Sequence, residues 1–229
     1  MSERQQSGRG QFRRWLRVAA VLPLLGPAWA AAAPDLVRCE PLDASGVYHD
    51  INDPGSSVNL HTVEINHFIK DVERLQRGQT APLPYDIDFV LRAFPNHYRA
   101  LNAMASWQLK NRLPANVEGK LWTADCYFQR AMTLVPEDWK VRFIYGIYLH
   151  KSKRFAEARE QYTAAESLGG DQAAGSADFY YNRGLFEVDA GNVDKAREYA
   201  DKAYTLGASL PGLRDKLARA NKEALGAKR

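Results

Sequence analysis

Residues 145–169, YGIYLHKSKRFAEAREQYTAAESLG, place small residues on the apolar face of a helical segment. Gly146, Ala158 and Ala165 stand where a solitary amphipathic helix would favour larger apolar side chains. Small residues at these positions indicate that another helix backbone comes very close, while the neighbouring aromatic side chains fill the space beside it. The stretch therefore predicts a closely packed pair of helices, with Gly146 against the adjoining helix rather than in water.

The same small residues recur at a nearly constant distance along the chain. Ala124 precedes Ala158 by 34 residues, and Ala158 precedes Ala196 by 38. Gly146 and Gly184 each lie 12 residues before the alanine of their own copy. The four additional residues of the last copy are expected in the polar loop GGDQAAGSA. A fixed period of this length predicts tandem helical units that stack on one another.

A unit of this kind resembles the tetratricopeptide repeat. The resemblance covers residues 119–207. Counted within one repeat unit, it rests on Gly or Ala at position 8, Ala at position 20, an aromatic residue at position 24, Ala at position 27 and a proline, Pro136, at position 32. It implies an all-α fold, a right-handed α-solenoid of helix hairpins with a turn-rich N-terminal arm and a C-terminal capping helix. The mature chain is also similar to a group of exported bacterial members of this family.

The predicted organisation follows from the repeats and from the composition between them. The Pro-, Gly-, Ser- and Asp-rich N-terminal region is expected to be extended. The predicted segments are a signal peptide at 1–30, the arm at 31–60, a helical hairpin that is a degenerate repeat at 61–95, repeats at 96–136, 137–170 and 176–209, and a capping helix at 210–226.

The N-terminus is typical of an export signal. The basic stretch RGQFRRWLR precedes the apolar run VAAVLPLLGPAWAAAA, and Ala28 and Ala30 place small residues before a cleavage point at Ala31. The 16-residue apolar run is shorter than the roughly 20 residues of a membrane-spanning helix. We therefore predict a periplasmic or secreted protein that contacts the membrane only through this signal, or through an uncleaved anchor as the alternative. Arg13 and Arg14 leave both the general secretory and the twin-arginine route open.

The chain contains two cysteines, Cys39 and Cys126. An even number of cysteines in an exported protein predicts a disulfide bond. Neither position has a second Cys or His nearby in sequence, which disfavours a metal pair, and nothing nearby would lower a thiol pKa. The predicted bond would attach the N-terminal arm to a helix far along the chain.

The net charge of +4 does not indicate a nucleic-acid partner. The first 30 residues hold five arginines against one glutamate, and the rest of the chain has 26 basic and 26 acidic residues. A chain without a global basic field would not be steered to phosphate. Residues 212–229 are locally basic, which predicts a solvated helix face, with contact to an acidic partner or a lipid surface as the alternative.

No motif in the sequence predicts a catalytic residue, a metal ligand set or a cofactor site. His61, Glu64 and His67 form H-x-x-E-x-x-H, whereas the zinc-protease motif needs two histidines at i and i+4. The turn containing His49 has ordinary turn residues. A metal-binding or hydrolytic envelope enzyme that uses His49, His61, His67 and nearby carboxylates is kept as the alternative hypothesis.

The leading hypothesis is a non-enzymatic adaptor that binds a protein partner of the cell envelope in a concave groove, within a secretion, pilus or surface-polysaccharide system. The resemblance implies that positions 2, 5, 9 and 12 of each first helix line this groove. The predicted lining is Lys140, Phe143, Ile147, His150, Asp178, Tyr181, Asn182 and Leu185, with Val188 at position 12 of the last repeat. Two alternatives stay open: the N-terminal arm covers this lining, or a neighbour in a larger envelope assembly fills it.

Overall fold

The described residues of the computed structural model, 39–43, 46–111 and 121–226, form α-helices and connecting segments without a β-strand. The helices are α1 (Ser57–His67), α2 (Lys70–Glu73), α3 (Leu83–Ala93), α4 (Tyr98–Asn111), α5 (Ala124–Leu134), α6 (Trp139–Lys151), α7 (Phe155–Ala174), α8 (Ala177–Asp189), α9 (Val193–Thr205) and α10 (Gly212–Gly226). The all-α prediction is confirmed over these residues.

Helices that follow one another in sequence pack as pairs. The most extensive contacts join α6 to α7 and α8 to α9, and α10 packs against both α8 and α9. Between pairs, α4 packs against α6, and α8 contacts α6 and α7. Aromatic rings connect the pairs: Phe143 on α6 lies 5.4 Å from Phe179 on α8, and Tyr162 on α7 lies 5.3 Å from Phe186 on α8, measured between ring centroids.

Gly146 and Gly184 both lie close to a neighbouring helix, as the sequence predicts, and that helix is α7 for Gly146 and α10 for Gly184. A Cβ atom on Gly146 would lie 3.0 Å from Cδ1 of Tyr162, and one on Gly184 would lie 2.7 Å from Cδ2 of Leu213. The neighbour of Gly146 is therefore an aromatic ring of α7, where we expected a helix backbone. Ala158 and Ala165 on α7 are fully buried. Small residues here make room for a large side chain from the partner helix, because the interior has no spare volume.

The four extra residues of the last repeat are not a polar loop. Helix α7 continues to Ala174, interrupted at Gly170, whose φ of 45° and ψ of −124° are not helical. A glycine accommodates this backbone without the steric penalty of a side chain. The continuation buries Ala173. The segment is therefore helical and contributes an alanine to the core.

The N-terminal helices differ in two ways from the predicted boundaries. Helix α1 begins at Ser57, so residues 57–60 of the predicted arm are helical. The first half of the hairpin predicted at 61–95 is not one continuous helix, because it is interrupted at Phe68 and Ile69, whose backbones are not helical. The interruption directs Phe68 into the core, where its ring meets His97 edge-on at 4.9 Å.

His97 is buried and holds the start of α4. Its Nδ1 accepts a hydrogen bond from the backbone N–H of Ala100, and its Nε2 lies 3.0 Å from a carboxylate oxygen of Glu64. Burial lowers the pKa of His97, although Glu64 acts in the opposite direction. The neutral ring can accept at Nδ1 and donate at Nε2 at the same time, which is what both contacts require.

The predicted disulfide is confirmed. Cys39 is bonded to Cys126. Their Cα atoms are 5.4 Å apart, and the two residues are separated by 87 in sequence number. Four residues after Cys126, the buried Arg130 donates to the backbone carbonyl oxygens of Glu40 and Pro41. The bond and the guanidinium together fix the described start of the arm on α5. A disulfide is typical of proteins that fold outside the cytoplasm.

The predicted signal peptide at 1–30 and the first residues of the arm lie outside the described residues. Within the described part of the chain, none of the helices has both the length and the apolar composition needed to cross a bilayer.

Candidate functional site

Three of the predicted groove residues share one face of α6. Lys140, Phe143 and Ile147 are separated by three and four positions, so their side chains lie on the same side of the helix. Lys140 is exposed, whereas Phe143 and Ile147 are half-buried. The Phe143 ring packs against Trp139 and Phe179, with centroid distances of 6.2 and 5.4 Å. The face thus offers apolar surface that neighbouring rings hold in place without covering it completely.

His150, the fourth predicted position on α6, is buried and already has a protein partner. Its Nε2 lies 2.9 Å from Oδ2 of Asp189 at the end of α8, and Lys216 of α10 binds the same carboxylate. Burial lowers the pKa of His150, against the opposing effect of Asp189. His150 therefore connects α6 to α8 and is not free to contact a partner. Sequence reasoning missed Asp189 and Lys216 because both lie far from His150 in the chain.

The predicted groove positions on α8 are also partly accessible and partly buried. Asp178 is exposed, and Asn182 and Leu185 are half-buried. Tyr181 is 8% exposed, and a Cβ on Gly212 would lie 2.9 Å from its hydroxyl oxygen. The first turn of α10 thus covers Tyr181. The remaining accessible apolar surface of α8 comes from Leu185 and from Val188, which is also half-buried.

A surface pocket of about 510 Å³ opens at the first turn of α6 and includes Lys140. Asp138 caps α6: its Oδ1 accepts from the backbone N–H of Lys140, and its Oδ2 accepts from the Tyr98 hydroxyl at 2.7 Å and from the Asn52 amide at 3.1 Å. Burial, together with the bond to Asp138, raises the pKa of Tyr98. The Asp138 carboxylate in the pocket wall is thus held by uncharged donors: a hydroxyl, a side-chain amide and a backbone N–H group.

The pocket is acidic overall. Asp50, Glu137 and Asp138 contribute three carboxylates to the lining, against the single ammonium of Lys140. The Lys140 ammonium lies 5.3 Å from the centroid of the Tyr98 ring, a favourable cation–π distance. An acidic wall beside an apolar helix face suits a ligand that carries both a positive charge and apolar side chains.

The described part of the arm bonds to the connection between α3 and α4 and to Asp138, the residue that caps α6. The backbone N–H of Ile51 and the carboxylate of Asp50 bond to Asn96, which lies between α3 and α4. Asn52 bonds to Asp138 and to the Tyr98 hydroxyl. The arm thus forms one wall of the pocket at the start of α6.

The three histidines of the alternative hypothesis have separate surroundings. His49 stacks near Phe94 at 5.1 Å, His61 is exposed on α1, and the His67 ring stacks on Phe89 at 3.9 Å. Within residues 39–43, 46–111 and 121–226, no group of three or more His, Cys, Asp or Glu side chains is placed to hold a metal ion.

His67 has a clear structural contact instead. Its Nδ1 lies 3.0 Å from Oδ1 of the fully buried Asp86 and 2.9 Å from the Thr80 hydroxyl. Although burial opposes ionisation, bonds from Thr80, His67 and the backbone N–H groups of Gln79 and Ala81 hold the pKa of Asp86 below its ordinary value. In a hydrolytic triad the carboxylate and the nucleophile bond opposite ring nitrogens, whereas here both meet Nδ1.

No protein-family model matches the chain, and no curated protein matches it either. The function is therefore inferred from the geometry of the surfaces described above.

Proposed function

We propose that the chain is a non-enzymatic adaptor of the bacterial cell envelope, built from tetratricopeptide-type hairpins in a right-handed solenoid. Two observations support the proposed hairpins. Helix α6 pairs with α7 and α8 pairs with α9, and each pair has a glycine at the same position of its first helix. Supporting an envelope location, the chain has a disulfide and a sequence typical of an export signal. We place the mature protein in the periplasm or outside the cell, after cleavage before Ala31.

The observation that carries this proposal is a row of half-buried apolar side chains on successive first helices. Phe143 and Ile147 lie on α6, and on α8 Leu185 lies at the position equivalent to Ile147 while Val188 lies at the position equivalent to His150. Apolar side chains that neighbours hold in place, yet leave accessible, are suitable anchor points for a partner polypeptide. His150 and Tyr181 support this surface from below rather than contacting the partner.

The acidic pocket at the first turn of α6 extends the same face. A partner segment that lies along α6 would place apolar side chains on Phe143 and Ile147 and a Lys, an Arg or a free amino terminus in the pocket. We therefore propose a basic and apolar segment of an envelope protein as the ligand.

Ile147→Ala combined with Leu185→Ala is expected to reduce partner capture at least about tenfold, since truncating a hot-spot side chain costs more than about 1 kcal/mol. The measurement is affinity capture from an envelope extract, with the partner quantified by mass spectrometry. Urea unfolding of both proteins separates lost binding from lost folding.

The matched control for this pair is Val58→Ala on α1, where the apolar side chain is 76% exposed and lies off the proposed surface. This control is expected to capture the partner as the wild type does. Equal capture by the double variant and the wild type would show that the α6–α8 face is not the binding surface.

A further inference from the structure

We infer a second interaction surface, the groove between α9 and α10, and assign its occupant as an amphipathic helix of another protein that carries acidic side chains beside an apolar stripe. This surface lies at the C-terminal end of the described chain and shares no residue with the α6–α8 face. The inference adds a second partner site to the proposed adaptor and does not depend on the first.

The groove has the size and lining of a helix-binding site. Its volume is about 780 Å³. The side chains along its centre are small or apolar: Ala200 of α9 is buried, Leu217 of α10 is half-buried, and Ala218 is exposed. Small side chains in a groove between two helices allow the ridge of a third helix to pack closely.

Two arginines mark the opposite ends of this groove. At one end, Arg197 of α9 bonds to the Asn221 amide oxygen of α10. At the other end, the Arg214 guanidinium of α10 lies 3.7 Å from the centroid of the Tyr204 ring of α9. Arg197 and Tyr204 are seven residues apart, which corresponds to about 10 Å along the helix. The guanidinium groups of Arg197 and Arg214 are therefore separated by about the distance between residues i and i+7 of a bound helix.

Arg214 is held in position by contacts with Tyr204. The Tyr204 hydroxyl donates to the Leu210 carbonyl oxygen and accepts from the Arg214 backbone N–H, which fixes the ring on which the guanidinium stacks. Among the described residues, no carboxylate forms an ion pair with Arg214. A stacked guanidinium still presents its N–H edge to a carboxylate.

Arg197 can also accept an acidic partner. Its ion pair within the chain is with Asp194, whose side chain is 94% exposed, and exposed pairs of this kind contribute little stability. Asp201 also lines the groove, on the α9 side. Cations at both ends and an anion along one wall favour a helix with Asp or Glu at i and i+7 and uncharged side chains at i+3 and i+4.

The test uses the intact protein and a synthetic helical peptide with Glu at i and i+7 and Leu at i+3 and i+4. Fluorescence anisotropy is expected to show saturable binding that weakens as salt rises. Arg214→Glu is expected to weaken binding at least about tenfold, because it places like charges together, and Arg214→Gln is expected to weaken it less. A peptide with Lys in place of both Glu residues is expected to bind far more weakly.

The matched control is Arg219→Glu, an exposed arginine of α10 that does not line the groove. It is expected to leave peptide affinity within about twofold of the wild type, since an exposed side chain outside the groove lining makes no direct contact with the peptide and its charge is partly screened by salt. An equal loss in Arg219→Glu, equal binding of the Lys peptide, or no binding at all would overturn the proposal. Thermal melts confirm that each variant is folded.

Two further measurements distinguish other occupants. If the wild-type chain self-associates in sedimentation and Arg214→Glu makes it monomeric, the occupant is a second copy and the assignment to another protein is wrong. Binding to anionic vesicles that exceeds binding to the Glu peptide, and that Arg214→Glu abolishes, would overturn it in favour of a lipid surface. Ile147→Ala with Leu185→Ala is expected to leave peptide binding unchanged, so the two proposals can fail separately.

Discussion

Replacing Glu187 with glutamine is expected to lower the free energy of unfolding by about 3–5 kcal/mol, because a buried positive charge loses its counter-ion. Glu187 has no exposed surface, and its carboxylate accepts two bonds from Arg159 Nη1 at 2.9 and 3.1 Å and one from Asn192 at 2.7 Å. The substitution keeps the shape of the side chain, removes its charge and replaces one accepting oxygen with an NH2 group that cannot accept these hydrogen bonds.

Arg183 is the group that depends most on this carboxylate. It is 2% exposed, its Nε lies 3.6 Å from Glu187, and neither Nε nor Nη1 has a hydrogen-bond partner among the described residues. The rings of Tyr162, Phe186 and Tyr199 lie 5.4 to 5.7 Å from its guanidinium carbon. Aromatic faces stabilise a cation only partly, so Glu187 supplies the main compensation for burying the charge.

The measurement for Glu187→Gln is urea unfolding, with Glu198→Gln on the exposed side of α9 as the matched control. The control is expected to change stability by less than about 0.5 kcal/mol. Arg183→Met combined with Glu187→Leu is expected to recover much of the loss, because replacing both charges leaves neither unpaired. A loss below about 1 kcal/mol in Glu187→Gln would show that Arg183 is compensated in another way.

Removing the disulfide with Cys39→Ser and Cys126→Ser is expected to lower stability by roughly 4–5 kcal/mol under oxidising conditions. The bond joins residues 87 apart, and in the chain-entropy account a loop of that length greatly restricts the unfolded chain. Thermal and urea unfolding of the variant are compared with those of the wild type, each with and without reductant. Reduced wild type and the double variant are expected to coincide.

Unfolding measurements with reductant show whether the stability loss of the double-serine variant comes from the missing disulfide. If reductant lowers the stability of the double-serine variant as much as that of the wild type, the loss does not come from the Cys39–Cys126 bond. The bonds from Arg130 to Glu40 and Pro41 are expected to weaken in the variant, because the arm is then attached only by non-covalent contacts. Proteolysis of the arm should accordingly become faster.

The helix pairs were predictable because their sequence signal is local and periodic. A Cβ atom on Gly146 would lie 3.0 Å from a neighbouring side chain, and one on Gly184 would lie 2.7 Å from one, so a larger residue at either position would require the neighbour to move. The identity of the neighbour was not predictable at this level: Tyr162 fills the space at Gly146, and Leu213 fills it at Gly184. Small residues indicate that something comes close, but the partner atom is set by tertiary packing.

The candidate surface was predictable as a set of helix positions and not as a set of accessible side chains. Lys140, Phe143 and Ile147 share the expected face of α6 and keep accessible surface. His150 and Tyr181 occupy equally regular positions, yet Asp189 binds one and the first turn of α10 covers the other. Burial of this kind depends on contacts with residues that are distant in sequence. The periodicity of a single helix does not predict such contacts.

The buried charge pair was likewise beyond the sequence argument. Arg183 and Glu187 are four apart on α8, a spacing that ordinarily indicates an exposed ion pair on a solvated helix face. Aromatic residues contributed by α7, α8 and α9 enclose them. Their burial follows from the packing of three helices, and no single helix carries that information.

Site-specific photo-crosslinking in intact cells tests the central claim most directly. A photoreactive benzoylphenylalanine is introduced in place of Ile147 or of Leu185, and separately in place of Val58 as the off-surface control. We predict that both surface positions form an adduct with the same envelope polypeptide and that position 58 does not. Adducts of equal yield from all three positions, or none from 147 and 185, would contradict a polypeptide-binding face on α6 and α8.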